Sequence, residues 1–214
     1  KHPKIIVAGI GPGNESDITP AVISAALKVI LEQITGRGKV YLLDSKDMEL
    51  YHYRSGDEIH YIGADGIDAF LMELGGLVTV RNQQLQQKMK EHPEQLPRRL
   101  VQELDACYVV VDEWDDFVEA TKLKAVLLAP ILSGALSSGI RFILTANSGK
   151  LKGFDEITKF AKATTDGLLV GNPGSSGIFG TVAAKELPQL SDGLLFHNGA
   201  YVRIRIPKCE DREE

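Results

Sequence analysis

The amino-acid sequence predicts an α/β fold, with a mostly parallel central sheet, helices on both faces and an antiparallel hairpin near the C-terminus. Three observations predict it. Short apolar, β-branched runs alternate with stretches whose apolar residues recur every three or four positions, the alternation that builds a parallel sheet. The runs are apolar throughout, as strands covered on both faces are. Near the end, two apolar segments flank Asn198-Gly199, a dipeptide suited to a tight hairpin turn.

The elements follow in order. Lys4 to Ala8 reads as a buried strand feeding a glycine-rich loop. A helix comes next, with Ile23, Ala26, Leu27, Ile30, Leu31 and Ile34 on one face and Gly36 placed to stop it. Thr19-Pro20 reads as the N-cap and first position of that helix. Lys39 to Leu43 is a second strand, ending at Asp44. After a short apolar segment at Ile59 to Ile62, Ile67 to Met89 reads as a long helix crossing Gly75 and Gly76, and Pro93 ends it. Leu96 to Leu104 forms a further helix, and Ala106 to Val111 is a strand whose apolar run stops at Asp112. Leu123 to Leu136 is helical, with Pro130 expected to kink or divide it. Ile140 to Leu144 is a strand, Phe154 to Ala163 a helix and Gly167 to Val170 a short strand. Leu194 to Phe196 and Ala200 to Ile206 make the hairpin.

With 214 residues, 43% hydrophobic and 25% charged, the chain can bury one substantial core, and we read residues 1–214 as one domain. It opens on Lys1 and runs directly into a strand, which suggests a piece of a longer polypeptide. A formal net charge of -5 and a pI near 5.6 argue against a broad basic surface for nucleic acid. Arg203, Arg205 and Lys208 are followed by Glu-Asp-Arg-Glu-Glu and read as a solvated strand edge and terminus. No uninterrupted apolar run of about 18 residues is present. Cys107 and Cys209 lie far apart without metal-ligand spacing, which suits a reducing compartment. His2, His52, His60, His92 and His197 show no metal spacing either, so no metal site is expected from them.

Parallel sheets bind ligands at the carboxyl ends of their strands, so the first strand-loop-helix matters most. Its loop is Gly9-Ile10-Gly11-Pro12-Gly13-Asn14-Glu15-Ser16. Against the phosphate-binding pattern G-x-x-x-x-G-K-[ST], Gly9 and Ser16 fit, while Asn14 replaces the second glycine and Glu15 the lysine. The lysine places positive charge on the β- and γ-phosphates. A carboxylate there would turn an attraction of about 4 kcal/mol into a similar repulsion, at a separation of about 4 Å and an effective dielectric of about 20. Pro20 adds an objection, because a helix starting there begins later than a phosphate-cradling loop requires. The alternative is a plain strand-to-helix turn. A dinucleotide fingerprint would need a third glycine where Asn14 stands.

Tyr108 to Val111 delivers Asp112 and Glu113 to a strand's carboxyl end, the Walker B pattern. In a working motor the aspartate holds Mg²⁺, directly or through water, and the glutamate polarises the attacking water. The bland alternative is that these acids cap the following helix. Trp114 and Phe117 beside them read as core residues, with a partner pocket as the other possibility.

Taken in order, these motifs resemble the FtsK/SpoIIIE motor family, including the tandem ATPase domains of EssC/EccC-type type VII secretion proteins. Asp44, Lys46, Glu49 and Leu50 match the D-P-K-x-x-E-L that follows the second strand in that family, with Ser45 in place of the proline. Gly139 to Asn147 is similar to its G-I-H-L-I-L-A-T-Q strand, which puts Asn147 at a sensor-like position. Asp192 to Phe196 and the Tyr201 strand are similar to its late hairpin. The resemblance implies a RecA/FtsK-like P-loop NTPase fold with Asp112 and Glu113 as the acid pair and Gly9, Gly11, Gly13, Asn14, Glu15 and Ser16 as a degenerate Walker A loop. Within the family, Asn14 and Glu15 select the degenerate C-terminal ATPase domain of EssC-type proteins. That implies weak ATP/Mg binding at most and no cofactor needed for function. It also implies a cytoplasmic domain of a membrane-anchored protein, with secreted substrates and neighbouring ATPase domains of the same chain as partners, and a hexamer in the parent protein.

Two other readings stand beside it. Gly9-Ile10-Gly11-Pro12-Gly13 with Thr19-Pro20 resembles the opening of tetrapyrrole methylases that use S-adenosylmethionine, and Gly171-Asn172-Pro173-Gly174 resembles their later glycine motif. That second match comes late in the chain, and the reading gives no account of Asp112-Glu113. The third is an active translocase, in which Lys46 or a neighbouring subunit's arginine replaces the missing lysine. The stretch Gly171 to Gly180 otherwise reads as a flexible connector able to present backbone N–H groups to an anion.

Overall fold

The computed structural model describes residues 4–10, 18–44, 50–55, 58–147, 151, 153–171, 178–179 and 192–206. In chain order these form β1 (Lys4–Ile10), α1 (Ile18–Ile34), β2 (Lys39–Asp44), β3 (Ile59–Ile62), α2 (Ile67–Glu91), α3 (Pro97–Gln102) and β4 (Cys107–Asp112). There follow α4 (Trp114–Thr121), α5 (Ala125–Ser137), β5 (Arg141–Asn147), α6 (Glu156–Lys162), β6 (Gly167–Gly171), β7 (Asp192–His197) and β8 (Ala200–Arg205). The strands make one sheet in the order β3-β2-β4-β5-β1-β6-β7-β8. Pairing is parallel from β3 to β6 and antiparallel from β6 to β8.

Alternate residues of each strand feed two faces. Tyr41, Leu43, Val109, Val111, Phe142 and Leu144 pack under α2, α4, α5 and α6. Val40, Leu42, Tyr108, Val110 and Ile143 pack under α1 through Leu27, Leu31 and Ile34. Leu27 and Leu31 are fully buried, each contributing about 2 kcal/mol of apolar burial. The β7–β8 turn has positive φ at both Asn198 (50°) and Gly199 (79°), the twist that matches two right-twisted strands.

Three boundaries differ from the sequence expectation. The helix α1 starts at Ile18, so Thr19 is not its N-cap and Pro20 lies within the first turn. A proline is tolerated there because first-turn N–H groups have no intrahelical acceptor. The helix thus opens two residues earlier than a first position at Pro20 would place it. α5 runs through Pro130 without dividing, and the proline sits on the exposed side. Residues Trp114 to Thr121, assigned to no element from the sequence, form α4.

α4 and α5 lie in the stretch Trp114–Ser137, within which an 18-residue window reaches a mean hydropathy of 1.3, apolar enough by length and composition to cross a membrane, although no uninterrupted apolar run stands out in the sequence. Here Trp114, Phe117, Leu128, Leu132 and Ala135 serve the core, while Leu123, Val126 and Leu127 are exposed.

Candidate functional site

The parallel register brings the sequence's candidate residues to one end of the sheet. Gly9 of β1 is the partner of Asn147 at the end of β5. On the far side of β5 lies β4, and Asp112 at its end is the partner of Asp44 on β2. The exits of β1 and β4 are thus separated by one strand, a lateral distance of about 10 Å. Gly11, Gly13, Asn14, Glu15 and Ser16 lie outside the described residues, as do Lys46 and Glu49. Most of Gly171 to Gly180 does too.

The turn after β4 has an unusual backbone. Val111 pairs with Leu144, and the ladder to β5 stops there. Glu113 then adopts a left-handed conformation, φ 53° and ψ 69°, which costs a non-glycine residue about 1 to 2 kcal/mol. Its backbone N–H donates to Thr145 Oγ1 at 2.8 Å. The Thr145 hydroxyl in turn donates to Asp112 Oδ1. The Glu113 carbonyl accepts from the N–H groups of Asp116 and Phe117, so its backbone opens α4, yet its side chain makes no cap hydrogen bond. The alternative in which these acids merely cap the helix therefore fails for Glu113.

The next residue, Trp114, is fully buried and packs on Phe117 and Phe160, with ring centroids 4.9 and 5.7 Å away. Its indole N–H is buried without an acceptor among the described residues. Trp114 and Phe117 are core residues rather than a pocket lining. Asn147 is exposed at the end of β5. Asp44, 2% exposed, accepts from Leu50 N–H and from the Tyr61 hydroxyl and so ties the end of β2 to β3. Thr145 is the residue that sequence reasoning missed. It interrupts the apolar run Phe142-Ile143-Leu144, and that break was the available signal.

Among the described residues, no group of three or more His, Cys, Asp or Glu is placed to hold a metal ion. A separate feature lies on the helical face. An open groove of about 410 Å³ runs between α2 and α5, floored by Leu71, Met72, Gly75, Leu127, Leu128 and Ile131. The Asp68–Lys124 ion pair closes one end. A Cβ at Gly75 would make only ordinary contact, 3.9 Å from Ile131 Cδ1, so the helix approach does not depend on this glycine. Arg203 and Arg205 lie on the exposed edge strand β8, with Arg205 Nε 3.5 Å from Asp192 Oδ1.

No family model and no curated protein sequence matches the chain. Solved structures do. The cytoplasmic domain of EssC superposes with a TM-score of 0.77 at 21% identity, covering 96% of this chain and 40% of that one. A structure of EssC ATPases 2 and 3 from Geobacillus thermodenitrificans gives 0.75 at 21% identity, covering 98% and 37%. The pCW3 conjugation coupling protein TcpA, solved with ATPγS, gives 0.70 at 20% identity, covering 99% and 62%. The chain spans about 40% of the length of the EssC structures it matches. At this identity the likeness is one of fold, and the fold of this chain is that of the EssC ATPase domains.

Proposed function

We propose that this chain is a degenerate ATPase domain of a type VII secretion coupling protein, one that binds ATP/Mg weakly or not at all and acts through contacts with proteins. One observation carries the reading. The Asp112–Glu113 turn is kept at the carboxyl end of the sheet, one strand removed from β1, while the loop that follows β1 carries Asn14-Glu15 in place of glycine and lysine. Asp112 and Glu113 are the described residues that would face a bound Mg²⁺ ion, and such an ion would supply charge neutralisation at the phosphates. Glu15 would oppose a triphosphate beside them.

The partners in this reading are secreted substrates and neighbouring ATPase domains of the same polypeptide, on the cytosolic side of a membrane, in a hexameric parent protein. The α2–α5 groove supports the protein-contact half of it. Met72, Leu123, Val126 and Leu127 are exposed along or beside the groove, and a helix could lay apolar side chains spaced by three and four against that floor.

The test is calorimetric titration of the protein with Mg-ATP and, in parallel, with S-adenosylmethionine. No heat with either ligand is expected. Micromolar Mg-ATP binding with turnover would return the domain to the active motors, and S-adenosylmethionine binding would replace the reading altogether. The double variant Asn14→Gly/Glu15→Lys is expected to gain Mg-ATP affinity, and no gain would show that these two changes alone did not disable the site.

A further inference from the structure

We propose that Thr145 is a positioning residue whose hydroxyl holds the Asp112–Glu113 pair in one arrangement, by supplying the acceptor that keeps Glu113 left-handed and the donor that orients Asp112. The inference rests on reading Asp112 and Glu113 as the acid pair of the site. Its basis is the way β4 parts from β5. A regular ladder would continue past Val111–Leu144 with backbone groups alone. Here the Thr145 side chain takes over, with Oγ1 accepting from Glu113 N at 2.8 Å and its proton directed to Asp112 Oδ1.

Thr145 is 1% exposed, while Asp112 and Glu113 are half-buried, so the hydroxyl that joins them is shielded from water. A single hydroxyl thus serves both acids at once, and it does so from the strand that ends at Asn147 beside Gly9 of β1. The left-handed turn carries strain for a glutamate, and the hydroxyl's bond to its N–H offsets part of that cost. Trp114 cannot follow a relaxation of the turn without leaving the core, since it is 0% exposed against Phe117 and Phe160. The clamp therefore works against a fixed anchor, and the carboxylate of Glu113 is held off the helix cap. In the motif that the β5 strand resembles, an alanine occupies this position, so the clamp is a property of this chain's own sequence.

A double-mutant cycle tests the inference in the full chain. Glycine adopts the left-handed conformation without strain, so Glu113→Gly is expected to raise the folding equilibrium constant about tenfold. Thr145→Val, which keeps the shape and removes the hydroxyl, is expected to lower it about tenfold or more. Thr145→Ser is expected to restore most of the loss. The decisive reading is the coupling: in the Glu113→Gly background, the loss from Thr145→Val should shrink severalfold, because the turn no longer needs the clamp.

Hydrogen exchange at the Glu113 amide gives the second reading, with strong protection in the wild type, loss in Thr145→Val and recovery in Thr145→Ser. Additive effects in the cycle would overturn the proposal, as would equal exchange at Glu113 in wild type and Thr145→Val. Should Thr145→Val fail to fold, the wild-type Glu113 amide decides. Protection supports the clamp, and exchange at the rate of an exposed loop amide overturns it. None of these measurements uses nucleotide, so a positive Mg-ATP titration would remove the degenerate reading while leaving the clamp to stand or fall by itself.

Discussion

The Asp44 carboxylate accepts the backbone N–H of Leu50, with 3.1 Å between Oδ2 and the nitrogen. The same oxygen accepts the Tyr61 hydroxyl at 3.1 Å. A charge that is 2% exposed is thereby held at the end of β2, and the chain on either side of residues 45–49 is pinned to it.

Removing that carboxylate leaves two donors without this acceptor. Asp44→Ala is expected to cost about 2 to 4 kcal/mol. Asp44→Asn keeps one carbonyl oxygen and is expected to cost about half as much. Urea denaturation with an unchanged m-value is the measurement, and equal stability of Asp44→Ala and wild type would show that the tie contributes nothing.

Two tyrosines contribute to the loss of stability at alkaline pH. Burial, followed by the charge and hydrogen bond of Asp44, pushes Tyr61 up to about 12. Burial and the Glu73 carboxylate, which accepts the Tyr41 hydroxyl at 2.6 Å, push Tyr41 up to about 12 against the opposing charge of Lys39. In the unfolded chain both titrate near the ordinary value of 10.0. A raised folded value means that the native state holds its protons longer, so this share of stability is complete below pH 10 and is lost as pH rises toward 12. Ultraviolet titration of the phenolate band is expected to show two late-ionising tyrosines. Tyr41→Phe and Tyr61→Phe should each remove one of them.

Gly139 joins α5 to β5 with φ at +83°, and a Cβ there would lie 2.5 Å from Val101 Cγ1. Gly139→Ala is expected to destabilise the protein by about 2 to 3 kcal/mol, from backbone strain and the contact together. Adding Val101→Ala relieves the contact but not the strain. The double variant should therefore recover only part of the loss, after allowance for the effect of Val101→Ala alone. Full recovery would show that the left-handed backbone carries no cost.

The exposed side of the α2–α5 groove contributes little to folding. Leu127 is 72% exposed and Val126 87% exposed, so Leu127→Ser and Val126→Ser are expected to change stability by no more than about 0.5 kcal/mol. Leu128→Ser, one residue on but 1% exposed, is expected to cost about 3 kcal/mol. Parallel thermal and urea melts of the three variants check this. A loss of protein binding in Leu127→Ser without a loss of stability would locate the contact surface.

Most of the sheet was legible because strands covered on both faces must be apolar at every position, and the runs Val40 to Leu43, Tyr108 to Val111 and Phe142 to Leu144 are. The hairpin was legible because two successive positive φ angles favour Asn-Gly. Pro130 does not divide α5, because an exposed proline is tolerated when packing on the other face holds the helix, as Leu128, Leu132 and Ala135 do. α4 was hidden because Trp114 to Thr121 mixes acids with core aromatics, and only the burial of Trp114 and Phe117 shows which face matters.

The sequence alone dictates the alternation of elements, the two acids at the end of β4 and the glutamate in the loop after β1. These are properties of single residues and of short repeats, and they need no distant partner. Only the tertiary structure could insert β5 between β1 and β4, set Thr145 beside Asp112 and turn Glu113 left-handed. Strand order follows from crossovers that must cover both faces of one sheet. The turn at Glu113 follows from an acceptor 32 residues away, so no local pattern announces it.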